Sequence, residues 1–250
     1  MGRKTPDIRP EYSALGRRKA ISPLLTELVR CVQEVRQVGG LSIPGLIVEL
    51  GCGQLRNLKE LKQHFPSVVL VDTDFQLNRL HDFGGKRLTV PEYIRRYYAD
   101  GNVTVMSDRE FAASNLRPDV IFSINVMDVV PPQTRRAILS IVKEHLPATG
   151  QFASLVPRND SRTLHLCTGA RVYLDGHLFP NHGAFSYYRN WSGNELQRLY
   201  RLYSFTVVRD RSCYRHSCLV CMPKTPSKRV RLKQRLFRKK DLRLRARSKS

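Results

Sequence analysis

Two short runs hold residue types that could do chemistry. Val48-Glu49-Leu50-Gly51-Cys52-Gly53 puts an acid and two glycines at the close of an apolar stretch, and Val69-Leu70-Val71-Asp72-Thr73-Asp74 puts a second acid at the close of another. Glycines leave a turn open enough for a ligand to approach the backbone, and a turn that enters a helix brings free N–H groups near that ligand. An acid ending the following strand can accept hydrogen bonds from both hydroxyls of a ribose. Asp72 follows Gly53 by 19 residues, close to the ~20-residue separation of nucleoside-binding fingerprints. The chemistry implied is capture of a nucleoside. A dinucleotide is disfavoured, because the sixth position counted from Gly51 is Arg56, where close helix–strand packing wants Gly or Ala. No phosphate-binding Walker sequence occurs. The plainer alternative is that Glu49 caps a turn and Asp72 merely ends a strand.

The elements that must position these residues read as an alternation. Pro23 to Val35 has helical apolar spacing, opens on a proline and closes at Gly39-Gly40. Buried strands are expected at 46–50, 67–71, 103–106, 119–124 and 150–156, and helices at 57–64, near Phe75, at 134–146 and at 192–203. Ser192 with Glu195 forms a capping-box pattern. Phe205 to Val208 and Ser217 to Cys221 form a terminal strand pair. Repeated strand–helix alternation implies an α/β fold on a parallel sheet. Residues 157–190 interrupt the rhythm and are too long for an ordinary connection, so they read as a substrate-side insertion.

In this order the residues resemble class I S-adenosylmethionine-dependent methyltransferases. Val48 to Gly53 resembles their first motif and Val69 to Asp74 their second. Ser107-Asp108 falls where the family places an adenine-contacting acid. Pro118 to Ser123 with Asn125 resembles the fourth-strand motif, and His145 to Gln151 the turn before strand five, from which Ala148-Thr149 departs. The resemblance covers residues 45–156 well and the final strand pair loosely. It implies a Rossmann-like, doubly wound, mostly parallel seven-stranded sheet with an antiparallel last strand, and S-adenosyl-L-methionine as cofactor. Glu49, Gly51, Cys52 and Gly53 would line its methionine end, Asp72 and Thr73 its ribose, Ser107 and Asp108 its adenine, with Asn125 beside the sulfonium. A narrower resemblance, carried by Arg17 to Pro23 and Asn125 to Pro131, is to bacterial methyltransferases encoded near DNA phosphorothioation genes.

The acceptor is less legible. Asn125-Val126-Met127-Asp128 departs from the Asp/Asn-Pro-Pro-aromatic motif of DNA amino-methyltransferases, and no Pro-Cys nucleophile pair of the cytosine C5 type occurs. Within the insertion, Arg158, Asn159, His177, His182, Tyr187, Tyr188, Arg189 and Trp191 supply donors, a candidate base and stacking faces. The catalytic candidates are Asn125, His182 and Tyr187. The plainer reading of Tyr187, Tyr188 and Trp191 is a small lid core. Cys213, His216, Cys218 and Cys221 invite a zinc reading, but Cys218 and Cys221 fall on opposite faces of a strand by alternation, so no metal is expected.

The formal net charge is +22. Lys224 to Ser250 holds 13 Lys or Arg against the single acid Asp241, and residues 1–223 hold 30 basic and 20 acidic residues. A basic body with a basic tail points to a polyanionic partner, with nucleic acid foremost. The expected organisation is an N-terminal arm and helix (1–40), a methyltransferase domain (41–223) and the tail (224–250). The absence of a long apolar run and of a signal-peptide core, with six irregularly spaced cysteines, leads us to expect a cytoplasmic protein without a transmembrane segment. A small-molecule acceptor, or a non-catalytic nucleic-acid-binding module on the same fold, are the competing readings.

Overall fold

A computed structural model describes residues 6–9, 23–157, 169–181, 183–213 and 216–224. The helices are α1 (Pro23–Gly39), α2 (Leu58–His64), α3 (Asp74–Asn78), α4 (Val90–Tyr97), α5 (Asp108–Ala113), α6 (Pro132–His145) and α7 (Gly193–Leu202). The strands are β1 (Leu46–Leu50), β2 (Ser67–Asp72), β3 (His81–Asp82), β4 (Arg87–Leu88), β5 (Val103–Ser107), β6 (Val120–Ile124), β7 (Gln151–Pro157), β8 (Arg171–Tyr173), β9 (Gly176–Asn181), β10 (Ala184–Tyr188), β11 (Phe205–Cys213) and β12 (His216–Pro223).

Seven strands form the central sheet in the order β11-β12-β7-β6-β1-β2-β5. β7, β6, β1, β2 and β5 run parallel to one another, and β12 is antiparallel to both β7 and β11. This is the Rossmann-like, mostly parallel sheet with an antiparallel last strand expected from the sequence. Strands covered on both faces need apolar residues throughout. Accordingly, β6 is buried at every position and β1, β2 and β7 at all but their ends.

The two faces hold separate cores. Leu25, Leu28 and Val32 of α1 pack with Leu58, Leu61, Phe122 and Val220 on one face, whereas Leu139 and Val142 of α6 pack with Leu196, Tyr200, Phe152 and Leu219 on the other. Cys218 and Cys221 lie in different cores, on the opposite faces that strand alternation requires. Arg209 and Arg211 of β11 reach α1 at Glu34 (2.8 Å) and Glu27 (2.6 Å).

Two helices were not read from the sequence. Each carries a capping box, Thr89 with Glu92 for α4 and Ser107 with Glu110 for α5. Within the insertion, the described residues form a three-stranded antiparallel sheet in the order β10-β9-β8. Ile8 pairs beside Phe185 at its β10 edge. Arg158, Asn159, His182, the narrower motif at 17–22 and the tail beyond Lys224 lie outside the described residues. No helix among the described residues is long and apolar enough to cross a membrane.

Candidate functional site

A cleft opens at the C-terminal ends of the parallel strands, where open α/β sheets bind their ligands. Its empty space is about 920 Å³. Gly51 and Gly53 follow β1, Asp72 ends β2, Thr73 caps α3, Asp108 opens α5 and Asn125 follows β6; all line it. Apolar walls come from Val71, Phe111, Val126, Ile138 and Ile141.

The turn after β1 is shaped for close approach. Gly51 has φ +72°, and a Cβ there would stand 2.5 Å from Cγ2 of Val126. A side chain at this position would be strained and would also displace the loop after β6. The sequence led us to expect free N–H groups in this turn, and the structure corrects that. Gly51 and Cys52 both donate to the carbonyl of Val71 (2.8 and 3.2 Å), and Gly53 donates to Oδ2 of Asp72 (2.7 Å). Helix α2 begins at Leu58, and its N-cap residue Asn57 gives its side-chain amide to Glu49 (2.6 Å) instead of capping the helix. The N–H groups that a phosphate would need are bonded internally, which fits the disfavoured dinucleotide. The turn offers acceptors instead, and those suit a diol.

Not every expected residue reaches the cleft wall. Glu49 is fully buried behind the turn, Cys52 is buried, and Ser107 spends its hydroxyl on the backbone N–H of Glu110 (3.2 Å). Glu49 has an unusual setting. Oε1 accepts from Asn57, Oε2 is buried without a partner, and burial pushes the carboxyl up to about 8, against the pull of Asn57 and helped by the charge of Asp72. Asn125 has φ +55° and donates its N–H to Leu155 (2.8 Å), so it extends the β6–β7 ladder while standing exposed on the cleft. Asn tolerates that left-handed conformation better than most residues.

Tyr187 lies elsewhere. It is 1% exposed, its hydroxyl donates to Asp175 and accepts from Arg135 (3.0 Å), and it is not on the cleft wall. Asp175 pairs with Arg135 (2.5 Å) and with Arg189; both guanidiniums stack on Trp191, at 4.9 and 4.1 Å from its ring centre. Trp191 donates to the carbonyl of Met127 (3.3 Å) and Arg189 N–H to that of Asp128 (2.7 Å). This joint clamps the end of the insertion onto the loop that follows Asn125. Sequence reasoning missed Arg135, Asp175 and Asp128. Arg135 reads as one more cation on the polar side of a helix, and only tertiary packing buries it. Asp128 is 3% exposed, and burial pushes its carboxyl up to about 7 against its own backbone N–H and Arg135.

Residues 24–210 match the profile of a family described as a methyltransferase domain. An uncharacterised protein of Escherichia coli strain K12, YmfD, is 29% identical over 145 residues, covering 58% of this chain and 64% of that protein; the match spans less than two thirds of the relative. Among solved structures, a protein from Pyrococcus horikoshii superimposes with a TM-score of 0.60 at 15% identity, over 87% of this chain and all of that one. An S-adenosylmethionine-dependent methyltransferase from Clostridium acetobutylicum gives 0.56 at 10% identity, over 80% and 92%. The 1,6-didemethyltoxoflavin-N1-methyltransferase of Burkholderia thailandensis, bound to its acceptor and S-adenosylhomocysteine, gives 0.53 at 16%, over 81% and 82%. At these identities the structural likeness is one of fold.

Proposed function

The chain belongs to the methyltransferase-domain family, and from that premise we propose that it is an S-adenosylmethionine-dependent methyltransferase whose acceptor is a nucleic acid or a molecule carried by one. The observation that carries the cofactor reading is the turn after β1. Its N–H groups are bonded internally while Asp72 stands on the cleft with Gly51, bare of a side chain, beside it. That donor set fits a nucleoside without phosphates. Asp72 accepts from the ribose diol, Asp108 and Phe111 border the base, and Glu49 beneath the turn supplies negative charge for the ammonium group only once it has given up its proton. When bound, the cofactor supplies a methyl group activated by a sulfonium.

The protein's own residues hold the acceptor in line and shield the reaction from water, which can account for much of a displacement's acceleration. Asn125 stands on the cleft next to Val126 and offers a carboxamide to orient the acceptor. Val129, Val130, Ile138 and Ile141 exclude water on that side. The packing of Tyr187 supports a positioning role: it braces the insertion against α6. A groove outside the cleft supports the polyanionic acceptor. It is lined by Arg135, Arg136, Arg189 and Arg198 beside Trp191; Arg135 and Arg189 pair with Asp175 and Glu195, and the exposed Arg136 and Arg198 are the cations that face solvent there. Together with the net charge of +22, it favours a phosphate backbone over a neutral small molecule.

Calorimetric titration with S-adenosylmethionine, repeated on Asp72→Ala, tests the cofactor. Micromolar binding lost in the variant is expected, and no binding by folded protein would overturn the enzyme reading. Transfer of labelled methyl to RNA and DNA at rising salt tests the acceptor. Transfer to a small molecule that ignores both salt and removal of 224–250 would overturn the nucleic-acid assignment.

A further inference from the structure

A row of aromatic rings leads outward from the core beside the edge strand β5 and stops at an open face. Phe83, 6% exposed, stacks on Tyr93 with ring centres 4.1 Å apart, and Tyr93 meets Tyr97 at 4.8 Å. Tyr97, in the last turn of α4, is 43% exposed. Its hydroxyl accepts from Nζ of Lys86 (2.9 Å), and the Arg96 guanidinium lies 5.7 Å from its ring centre. Lys86 and Arg87 at the β3–β4 hairpin and Arg95 and Arg96 on α4 are all exposed. Among the described residues, no ion pair takes up any of these four cations. The acids of the same surface are spent elsewhere. Glu92 accepts from the N–H and the hydroxyl of Thr89 (2.8 Å each), Asp82 accepts from the N–H of Gly85 (2.7 Å), and Asp100 pairs with Lys62 (3.5 Å).

The rings and the cations do separate things. The inner rings hold the β3–β4 hairpin to α4 and fix the angle of Tyr97, so little side-chain freedom is left to lose when a flat group covers it. An exposed ring with cations beside it is the combination that holds single-stranded nucleic acid: a base stacks on the ring while the cations meet neighbouring phosphates. An acidic peptide would answer the cations but not the ring, and a duplex keeps its bases stacked inside, away from it. None of these residues lines the cleft. Helix α4 leads toward the start of β5, and Asn102 just before that strand accepts from the N–H of Val68 near the start of β2 (2.9 Å). Tyr97 therefore stands toward the end of the sheet away from the cleft, where it can hold a long acceptor without taking part in the reaction.

We propose that Tyr97, with Lys86, Arg87, Arg95 and Arg96, forms a docking site for single-stranded nucleic acid on the β5 edge of the domain; this rests on the nucleic-acid acceptor proposed above. The test compares, by fluorescence anisotropy on the full chain, a single-stranded homothymidine oligonucleotide with an abasic strand of the same length. Both carry the same phosphates, so purely ionic contacts, those of the basic tail included, count equally for the two. The unmodified chain is expected to prefer the base-bearing strand by about 5- to 150-fold, the range for stacking one base. Tyr97→Ala brings that preference to within about 2-fold and Tyr97→Phe keeps it, while affinity for S-adenosylmethionine is unchanged in both. Lys86→Gln combined with Arg96→Gln lowers the salt slope for either strand by about 1.4, at about 0.7 per lost phosphate contact. Equal binding of the two strands by the unmodified chain overturns the proposal without recourse to a variant and leaves the nucleic-acid reading standing. A preference undiminished in Tyr97→Ala, or an unchanged salt slope, overturns it as well. If the folded chain binds neither strand, the nucleic-acid reading falls with it.

Discussion

The cleft and the joint beside it treat polar groups in opposite ways. Around β1 and β2, Glu49 keeps a carboxylate oxygen without a partner and Gln76 keeps a whole amide. Around α6 and the insertion, Arg135, Asp175, Tyr187, Arg189 and Trp191 bond or stack with one another. Both regions are buried, so burial does not distinguish them. Of the five side chains of the joint only Arg189 keeps an unpaired atom, Nε, whereas the groups beneath the cleft are left for something outside the chain to pair with.

Breaking the joint has the largest expected effect. Arg135→Ala strands Asp175 and should cost about 3–5 kcal/mol, or roughly 10 °C in melting temperature for a chain of this size. Cofactor affinity, measured where the variant is still folded, should stay within about threefold. A collapse of affinity out of proportion to stability would erase the distinction between the two regions. Asp72→Ala should behave in the reverse sense. Two charge-assisted hydrogen bonds to a diol are worth on the order of a hundredfold in affinity, while thermal scans of the unliganded variant should shift by only a few degrees.

Glu49 links the cofactor end to pH. At about 8, its carboxyl is mostly protonated at neutrality and would have to lose that proton to attract an ammonium group across the turn. Titrations in buffers of different ionisation heat should show proton release near pH 7. Affinity should rise about tenfold from pH 6.5 to 8, and Glu49→Gln should flatten the curve. Because the folded value lies above the ordinary 4.5, Glu49 stabilises the unliganded protein most below that pH and loses its contribution as pH climbs toward 8. An unliganded stability that instead rises over this window in the native chain relative to Glu49→Gln would contradict the assignment. The smallest effect is that of Tyr187→Phe. Loss of one hydroxyl from the network should cost about 1–2 kcal/mol in denaturant unfolding and lower kcat by no more than about threefold. A hundredfold fall would return Tyr187 to the reaction.

The central sheet was legible because β1, β2, β6 and β7 are nearly continuous apolar runs, and two-sided burial leaves no other composition open to them. The glycine turn and Asp72 were legible because backbone shape and strand ends dictate their types. Helices α4 and α5 announce themselves through Thr89-x-x-Glu92 and Ser107-x-x-Glu110, signals as strong as the one that located α7. The insertion's strands are a different matter. β8 has three residues with Val172 exposed, and its pairing depends on partners that local pattern does not specify. Gln76 and Arg135 were illegible for a related reason: nothing in a polar residue's neighbours says that distant elements will bury it. Their importance comes from the packing, and the packing is non-local.

The register of β12 has a consequence for the basic tail. His216 sits beside Pro157 and Cys221 beside Phe152, so β12 starts at the cleft edge of the sheet and Lys224 leaves it at the opposite edge. Lys224 is tied there by its N–H to the carbonyl of Ser204 (2.7 Å), so whatever follows it starts a full strand length away from the cleft that holds Asp72 and Asn125.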